Sequence, residues 1–280
     1  MTGKVNKEIQ EPTPAERLVR LKAVVKHLAD TWPAVLQRQT YMQAMGRSED
    51  LRDALHSTYA SHVHNTVQGV LLIDLIREIG ALVLDESPQS ASVASAMAAL
   101  RSEVLLEELR SEYRIVPPLT RTYNDDELTD NMREVVAEMW QRAELERNLN
   151  EFDSLCSKLT KIDAEVMKAE IRPRLWKARS KAIAHYDLVQ DGGDWRMWRI
   201  GDGDTTLTYG EVDRYIDACT AAIETLYLLV RRAWFDMNET RRIAQKYADE
   251  YIGALVLGLR QQREKHEKER AQGGARIPRH

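Results

Sequence analysis

Apolar residues recur every three to four positions along most of the chain, which is the spacing of one face of an α-helix. Glycine and proline are sparse and cluster at a few breaks, so each periodic stretch between two breaks predicts a helix. These predicted helices cover approximately residues 14–30, 33–45, 48–84, 90–110, 124–170, 173–186, 209–235 and 238–270. The pattern predicts an all-α fold, a helical bundle with long helices.

Four of the predicted helices begin at recognisable start signals. Residues 13–16 read Thr-Pro-Ala-Glu, a capping box with proline at the first helical position. Residues 208–211 read Thr-Tyr-Gly-Glu and predict a second capping box. Ser48 and Asn238 are of the types that cap helix N-termini. A Trp-Pro pair at 32–33 predicts that the first helix ends before it.

One segment departs from the helical pattern. Residues 190–194 read Gln-Asp-Gly-Gly-Asp and predict a turn. After this turn, residues 195–200 and 205–208 flank a second Gly-Asp turn and predict a small β-hairpin insertion near 195–208. The chain is thereby predicted to have three parts, an N-terminal helical extension at 1–47, a helical domain at 48–236, and a charged C-terminal helix and tail at 237–280.

Composition narrows the classes of protein that the chain can belong to. Its 280 residues are enough for a sizeable core. The formal net charge of -4 argues against coating of nucleic acid by global charge, so any such contact must come from a local patch. No stretch has the length and apolarity of a membrane span or a secretion signal. With only Cys156 and Cys219, we expect a cytoplasmic protein with reduced thiols and no membrane contact.

Residues 174–187 carry the strongest chemical signal in the chain. They place four cations and one histidine on a single predicted helix. Helical spacing puts Arg174, Lys181 and His185 on one face, with Lys177 beside them. Cations bind phosphate, and a histidine can transfer protons near neutral pH. The segment therefore holds the groups needed to cleave RNA without a metal ion or another cofactor.

The proposed chemistry depends on Arg179 and His185. His185 would take the proton of a ribose 2′-OH, and Arg179 would stabilise charge on the attacked phosphate. The two residues are six positions apart, so on one straight helix they point about 120° away from each other. They converge if the helix ends near His185, or if a second copy of the chain packs against the first in a two-fold dimer.

Other interpretations of the same residues remain open. Basic residues on a helix are commonly a solvated face, and a histidine near a helix end can act as a cap. Arg179 borders a less polar stripe, so it can also be a buried structural arginine paired with a carboxylate such as Asp187. A helical bundle with only a structural role is compatible with these alternatives.

Residues 179–187 read Arg-Ser-Lys-Ala-Ile-Ala-His-Tyr-Asp, which resembles the Arg-x(4–6)-His signature of HEPN domains. More narrowly, the stretch resembles the R-x-K-x-x-A-H-x-D form of AbiU-like HEPN proteins of abortive infection. Residues 71–100 resemble the upstream helices of that family, and residues 207–212 resemble the opening of its next helix. The resemblance covers roughly residues 51–230.

The resemblance implies an endoribonuclease that dimerises to form its active site and serves as a toxin or antiphage effector. Its partners would be RNA, a second copy of the chain, and an antitoxin or regulatory protein. Arg179 and His185 match the two catalytic positions. The residues expected to bind RNA or support the site are Arg174, Lys177, Ser180, Lys181, Tyr186 and Asp187.

The chain departs from the family pattern at Ser180, where many HEPN motifs carry asparagine, aspartate or histidine. The intact Arg179 and His185 favour the nuclease, whereas Ser180 and the acidic overall charge leave an alternative function open, a catalytically silent HEPN-like module that binds RNA or a protein partner.

Overall fold

The computed structural model describes residues 12–56, 58–118, 129–180, 188–191, 194–197 and 206–273. Within these ranges the chain is mainly helical, and the predicted all-α class is confirmed. The helices are α1 (Pro14–Arg47), α2 (Glu49–Leu55), α3 (Ala60–Ile79), α4 (Val93–Ala99), α5 (Glu103–Tyr113), α6 (Asp130–Ile162), α7 (Ile171–Ala178), α8 (Tyr209–Arg231) and α9 (Met237–Gly273). Wider π-helical turns follow α3 at Gly80–Leu84 and α6 at Asp163–Met167.

Helix α1 begins at the predicted capping box but is longer than predicted. The prediction that it ends before Pro33 is wrong, because the helix continues through this proline. Proline removes one helical hydrogen bond and strains the preceding turn. Trp32, Val35 and Leu36 are completely buried around it. Burial of these three side chains favours a continuous helix by more than the proline disfavours it.

The predicted long helix at 48–84 is divided into α2 and α3. Ser48 caps the start as predicted, because its side chain accepts a hydrogen bond from the amide of Leu51 at 3.2 Å. Arg263 of α9 satisfies the carbonyl groups at the end of α2. Its guanidinium donates to the carbonyl oxygens of Asp53, Ala54 and His56. Since this cap comes from a residue distant in sequence, the local pattern could not reveal the break.

The chain divides into two compact units, each made of separate stretches of sequence. The first contains Met1–Asp30, Ala81–Arg172 and Asp217–Phe235, and the second contains Thr31–Gly80, Pro173–Ile216 and Asp236–His280. The three-part division at residues 47 and 236 stays a prediction.

Tyr113 lies at the centre of the first unit. Its hydroxyl donates to the carbonyl oxygen of Leu229 at 2.9 Å, and its ring meets the edge of Phe152 at 5.1 Å between centroids. The guanidinium of Arg232 lies 4.7 Å from the Tyr113 ring centroid and donates to the carbonyl of Glu112. Burial raises the pKa of the Tyr113 hydroxyl, which therefore acts as a neutral donor joining α5 to α8.

The core of the second unit lies where the end of α1 and helix α2 meet α9. The buried residues of this cluster are Ala44, Met45, Leu51, Ala54, Leu55, Ala248, Ile252 and Val256. Arg38 of α1 pairs with Asp74 of α3 at 2.7 Å. Leu75, Ile76 and Ile79, in the last turns of α3, are completely buried. This unit also contains Arg179, so its packing determines where that arginine lies.

The β-hairpin predicted near 195–208 is wrong in its placement. The described strands are β1 (Leu188–Asp191) and β2 (Asp194–Met197), paired antiparallel with Asp191 opposite Asp194. Two glycines, Gly192 and Gly193, separate the strands in sequence, and a two-residue link of this kind strongly favours a hairpin. The segment predicted as the first turn, residues 190–194, therefore contains the link between the two strands. Residues 198–205 lie outside the described residues.

Cys156 and Cys219 are both free thiols, as predicted. Burial and the nearby carboxylate of Asp153 raise the pKa of the Cys156 thiol. In the part of the chain that the structure describes, no helix combines the length and apolarity needed to cross a bilayer.

Candidate functional site

Helix α7 leads directly to the motif arginine. It is a short helix whose completely buried side chains, Leu175 and Ala178, are three residues apart and share one face. The less polar stripe predicted for this segment is confirmed at these two positions. Because this face is completely buried, α7 is anchored immediately before Arg179.

Arg174 is held by an ion pair and a backbone contact. Its guanidinium lies 2.7 Å from a carboxylate oxygen of Glu211 and donates to the carbonyl oxygen of Thr206 at 2.7 Å. Glu211 also completes the predicted capping box, since it accepts from the amide and hydroxyl of Thr208. The hydrogen bond from Arg174, followed by those from Thr208, lowers the pKa of Glu211 to about 2. Arg174 therefore fastens α7 to the start of α8.

Arg179 lies against the backbone of Gly80, the residue that ends α3. A methyl group on Gly80 would stand 2.7 Å from Nε of Arg179 and 3.2 Å from Cγ, and nearer still to Cδ. These separations are shorter than carbon and nitrogen atoms tolerate without a bond. The stem of Arg179 thus occupies the space that a side chain at position 80 would fill.

Trp176 forms the second contact of Arg179. The guanidinium carbon lies 5.1 Å from the centroid of the indole ring, within the range of a cation–π interaction. Trp176 is three residues earlier in the chain and is 45% exposed. Among the residues that the structure describes, no carboxylate forms an ion pair with Arg179. In the described part of the chain, Arg179 is therefore held by packing against Gly80 and Trp176.

Two further predicted residues are described near Arg179. Lys177 and Ser180 are both half-buried, and Lys177 has an interaction partner. Residues 179–180 form a π-type turn, which is wider than an α-helical turn. The angle of 120° predicted between Arg179 and His185 assumed an ideal α-helix, whereas α7 ends at Ala178, and the angle stays a prediction because His185 lies outside the described residues.

Lys181, His185, Tyr186 and Asp187 lie outside the described residues. The pairing of Arg179 with His185 and the alternative pairing with Asp187 therefore stay predictions. Among the residues that the structure describes, no group of three or more His, Cys, Asp or Glu side chains could hold a metal ion.

Sequence reasoning missed Gly80 and Trp176. Gly80 stands at the end of an apolar helical stretch, where glycine is an unfavourable choice, and this was an available signal. Trp176 precedes Arg179 by three positions, the spacing at which two helical side chains meet.

Comparison with known proteins agrees with the motif and the helical fold. The family model HEPN_AbiU2, described as AbiU2, matches residues 16–251. No curated protein and no solved structure matches the chain. The match begins in the first turn of α1, includes α7 and ends within the first half of α9.

These findings define a mainly helical HEPN module of the abortive-infection type. The chain belongs to the AbiU2 family of HEPN proteins.

Proposed function

We propose that this protein is a metal-independent endoribonuclease that acts in antiphage defence or as a toxin. The observation that carries the proposal is the environment of Arg179. Its stem is fixed by Gly80 and its guanidinium lies over Trp176, with no carboxylate partner in the described part of the chain. An arginine held by packing keeps donors that can bind a phosphate oxygen.

In the proposed reaction, neutral His185 removes the proton of a ribose 2′-OH. The 2′ oxygen forms a bond to the adjacent phosphorus, and the bond from phosphorus to the 5′ oxygen breaks. The histidine returns the proton to this 5′ oxygen. The products carry a 2′,3′-cyclic phosphate and a 5′-hydroxyl. Acid–base catalysis of this kind contributes about 10²–10⁴-fold to the rate.

Arg179 acts on the charge that builds up on the phosphoryl oxygens during attack. A cation already in place at that position lowers the barrier because it needs no reorganisation during the reaction. Gly80 and Trp176 supply this preorganisation, since one fixes the stem and the other lies under the guanidinium.

The proposal includes a homodimer formed through α3. Residues Ala60–Ile73 contain no Asp, Glu, Lys or Arg, although 30% of the chain is charged. Val63, Val67 and Val70 form one exposed stripe along this helix, with Val63 66% exposed. An exposed apolar stripe of this kind is typical of an interaction site. Because the stripe is uncharged, it can meet a second copy of itself without repulsion.

The decisive experiment is incubation of purified protein with total bacterial RNA in EDTA, with His185→Ala alongside. We expect the wild type to cleave RNA and leave 2′,3′-cyclic phosphate ends, and His185→Ala to lose at least about 100-fold in rate. Single-stranded DNA of the same sequence should bind but remain intact, because it lacks the 2′-OH.

His266→Ala is the matched control, since His266 is an exposed histidine of α9 in the same unit and away from the proposed interface on α3. It should cleave at the wild-type rate. RNA binding without cleavage by the wild type would instead favour the silent binding module and contradict the nuclease.

A further inference from the structure

The backbone of Gly80 does not require glycine. Its φ of -59° and ψ of -41° are ordinary α-helical values that every residue type adopts. Its amide still donates to the carbonyl oxygens of Ile76 and Arg77. Alanine is the better helix former, so the presence of glycine needs a cause outside the backbone.

A close contact beside Gly80 provides that cause. Added side chains at Gly46, Gly69, Gly253 and Gly258 would meet nothing within 4 Å. These glycines, like Gly80, belong to described helical segments. At Gly80 the added carbon would overlap the stem of the motif arginine.

Gly80 and Arg179 both lie in wide turns. Gly80 opens the π-helical turn after α3, and Arg179 opens the π-type turn after α7. Single π-type turns inside helical segments occur frequently at functional sites. The two turns meet where the side-chain stem of Arg179 lies against the backbone of Gly80.

We propose that Gly80 is a positioning residue for Arg179. The absence of a side chain at position 80 determines where the arginine stem lies and therefore where its guanidinium is presented. The effect on RNA cleavage rests on the proposed function, whereas the positioning itself rests on the packing. A methyl group at position 80 conflicts with a flexible side chain rather than with backbone, so Arg179 swings away and the helix remains. Gly80→Ala is thus expected to fold with a displaced arginine.

A double-mutant cycle tests the coupling without assuming any activity. Gly80→Ala and Gly69→Ala are each made in the wild type and in Arg179→Ala, and the thermal midpoint Tm is measured for each protein. Gly69→Ala should change Tm equally in both backgrounds, because its new methyl group meets nothing. Gly80→Ala should raise Tm more in Arg179→Ala than in the wild type, because the conflict has been removed.

The position of Arg179 can be followed directly by NMR. Its Nε–Hε signal lies near the indole ring, whose ring current displaces the resonance, and Trp176→Leu identifies it. In Gly80→Ala this signal should move towards the value typical of an exposed arginine. In Gly69→Ala it should remain where it is in the wild type.

The cleavage assay adds the functional consequence. Gly80→Ala should lose at least about tenfold in rate in the wild-type background, as expected for a displaced catalytic cation. It should lose nothing further in Arg179→Ala. The control for cleavage is Gly258→Ala, at an exposed glycine of α9 whose new methyl group meets nothing, and it should stay within about twofold of the wild type.

The outcomes distinguish the positioning role of Gly80 from the proposed nuclease activity. If Gly80→Ala shifts Tm equally in both backgrounds and leaves the Nε–Hε signal in place, the positioning role is overturned, whatever the cleavage assay shows. If the signal moves and the two shifts differ while no protein cleaves RNA, the positioning role stands and the proposed nuclease fails.

Discussion

Two arginines five residues apart on the same segment have different surroundings. Arg174 is paired with Glu211 and a backbone carbonyl, whereas Arg179 is held by Gly80 and Trp176. A guanidinium that is already neutralised by a carboxylate binds phosphate less well than one that is not. At this scale the described contacts distinguish an arginine that joins two helices from one that packs against a bare backbone and an indole ring, although both are basic residues of one short segment.

Replacing Trp176 with leucine should weaken the proposed activity modestly. A cation–π contact at a partly exposed site contributes about 0.5–1 kcal/mol, which corresponds to a rate loss of about two- to fivefold if it acts fully on the transition state. The measurement is the rate of RNA cleavage in EDTA.

Trp234→Leu is the matched control, because Trp234 is 77% exposed. Its rate should equal that of the wild type. A loss of more than about 100-fold in Trp176→Leu would contradict a purely supporting role for the indole ring.

At the scale of the elements, the capping box at the start of α8 also fixes α7. Glu211 accepts from Thr208 within its own helix and from Arg174 across to α7. One carboxylate therefore closes a helix end and secures the segment before Arg179. The sequence predicted the first of these contacts because it is local, but not the second, because the two residues are 37 positions apart.

This arrangement predicts how stability depends on pH. The folded pKa of Glu211 is about 2, below the ordinary value of 4.5. Its contribution to the free energy of unfolding is therefore fully present above pH 4.5 and is lost as pH falls towards 2. Arg174→Gln removes the largest cause of the lowered pKa. The Tm difference between wild type and Arg174→Gln should shrink as pH is lowered through this window.

Arg142→Gln serves as the control, since Arg142 is an exposed residue of α6 without an ion pair among the described residues. Its Tm should follow that of the wild type from neutral pH to pH 2. If the Tm difference between wild type and Arg174→Gln stays constant over the same pH range, this would contradict the assigned role of Glu211.

The sequence predicted the structural features that depend on neighbouring residues, but not those that depend on contacts between residues distant in the chain. The capping boxes at Thr13 and Thr208 needed only four consecutive residues, and both are present. The continuation of α1 through Pro33 depends on burial by surrounding elements, and the end of α2 depends on Arg263. The hairpin was displaced because two neighbouring Gly-rich stretches both had the composition of turns.

The same limit applied to the candidate site. The sequence identified Arg179 by its motif, but its contact with Gly80 joins residues almost a hundred positions apart. Only the packing of α3 against the segment after α7 brings them together. A glycine in a helix signals that something lies close to the backbone, without revealing what.

At the scale of the whole molecule, the valine stripe on α3 predicts the oligomeric state. The combined substitution of Val63 and Val67 by glutamate places like charges on both copies of the proposed interface. We expect light scattering to give about twice 32.2 kDa for the wild type and 32.2 kDa for this variant. Cleavage should fall with the dimer if two copies complete the site.

Val135→Glu is the control, because Val135 is an exposed valine of α6 in the other unit. It should keep the mass and activity of the wild type. A double α3 variant that remains a dimer would refute the proposed interface.

The bare backbone at Gly80 has a consequence for genetics. If expression of the protein arrests bacterial growth, the surviving cells will carry mutations that inactivate the protein. Every single-base change that replaces Gly80 introduces a side chain into the space held by Arg179. Among survivors that still make the full-length protein, some should therefore carry substitutions at Gly80, alongside others with substitutions at Arg179 and His185. The Gly80 variants should accumulate as stable, inactive protein. A codon remote from the motif would be a third hot spot for escape.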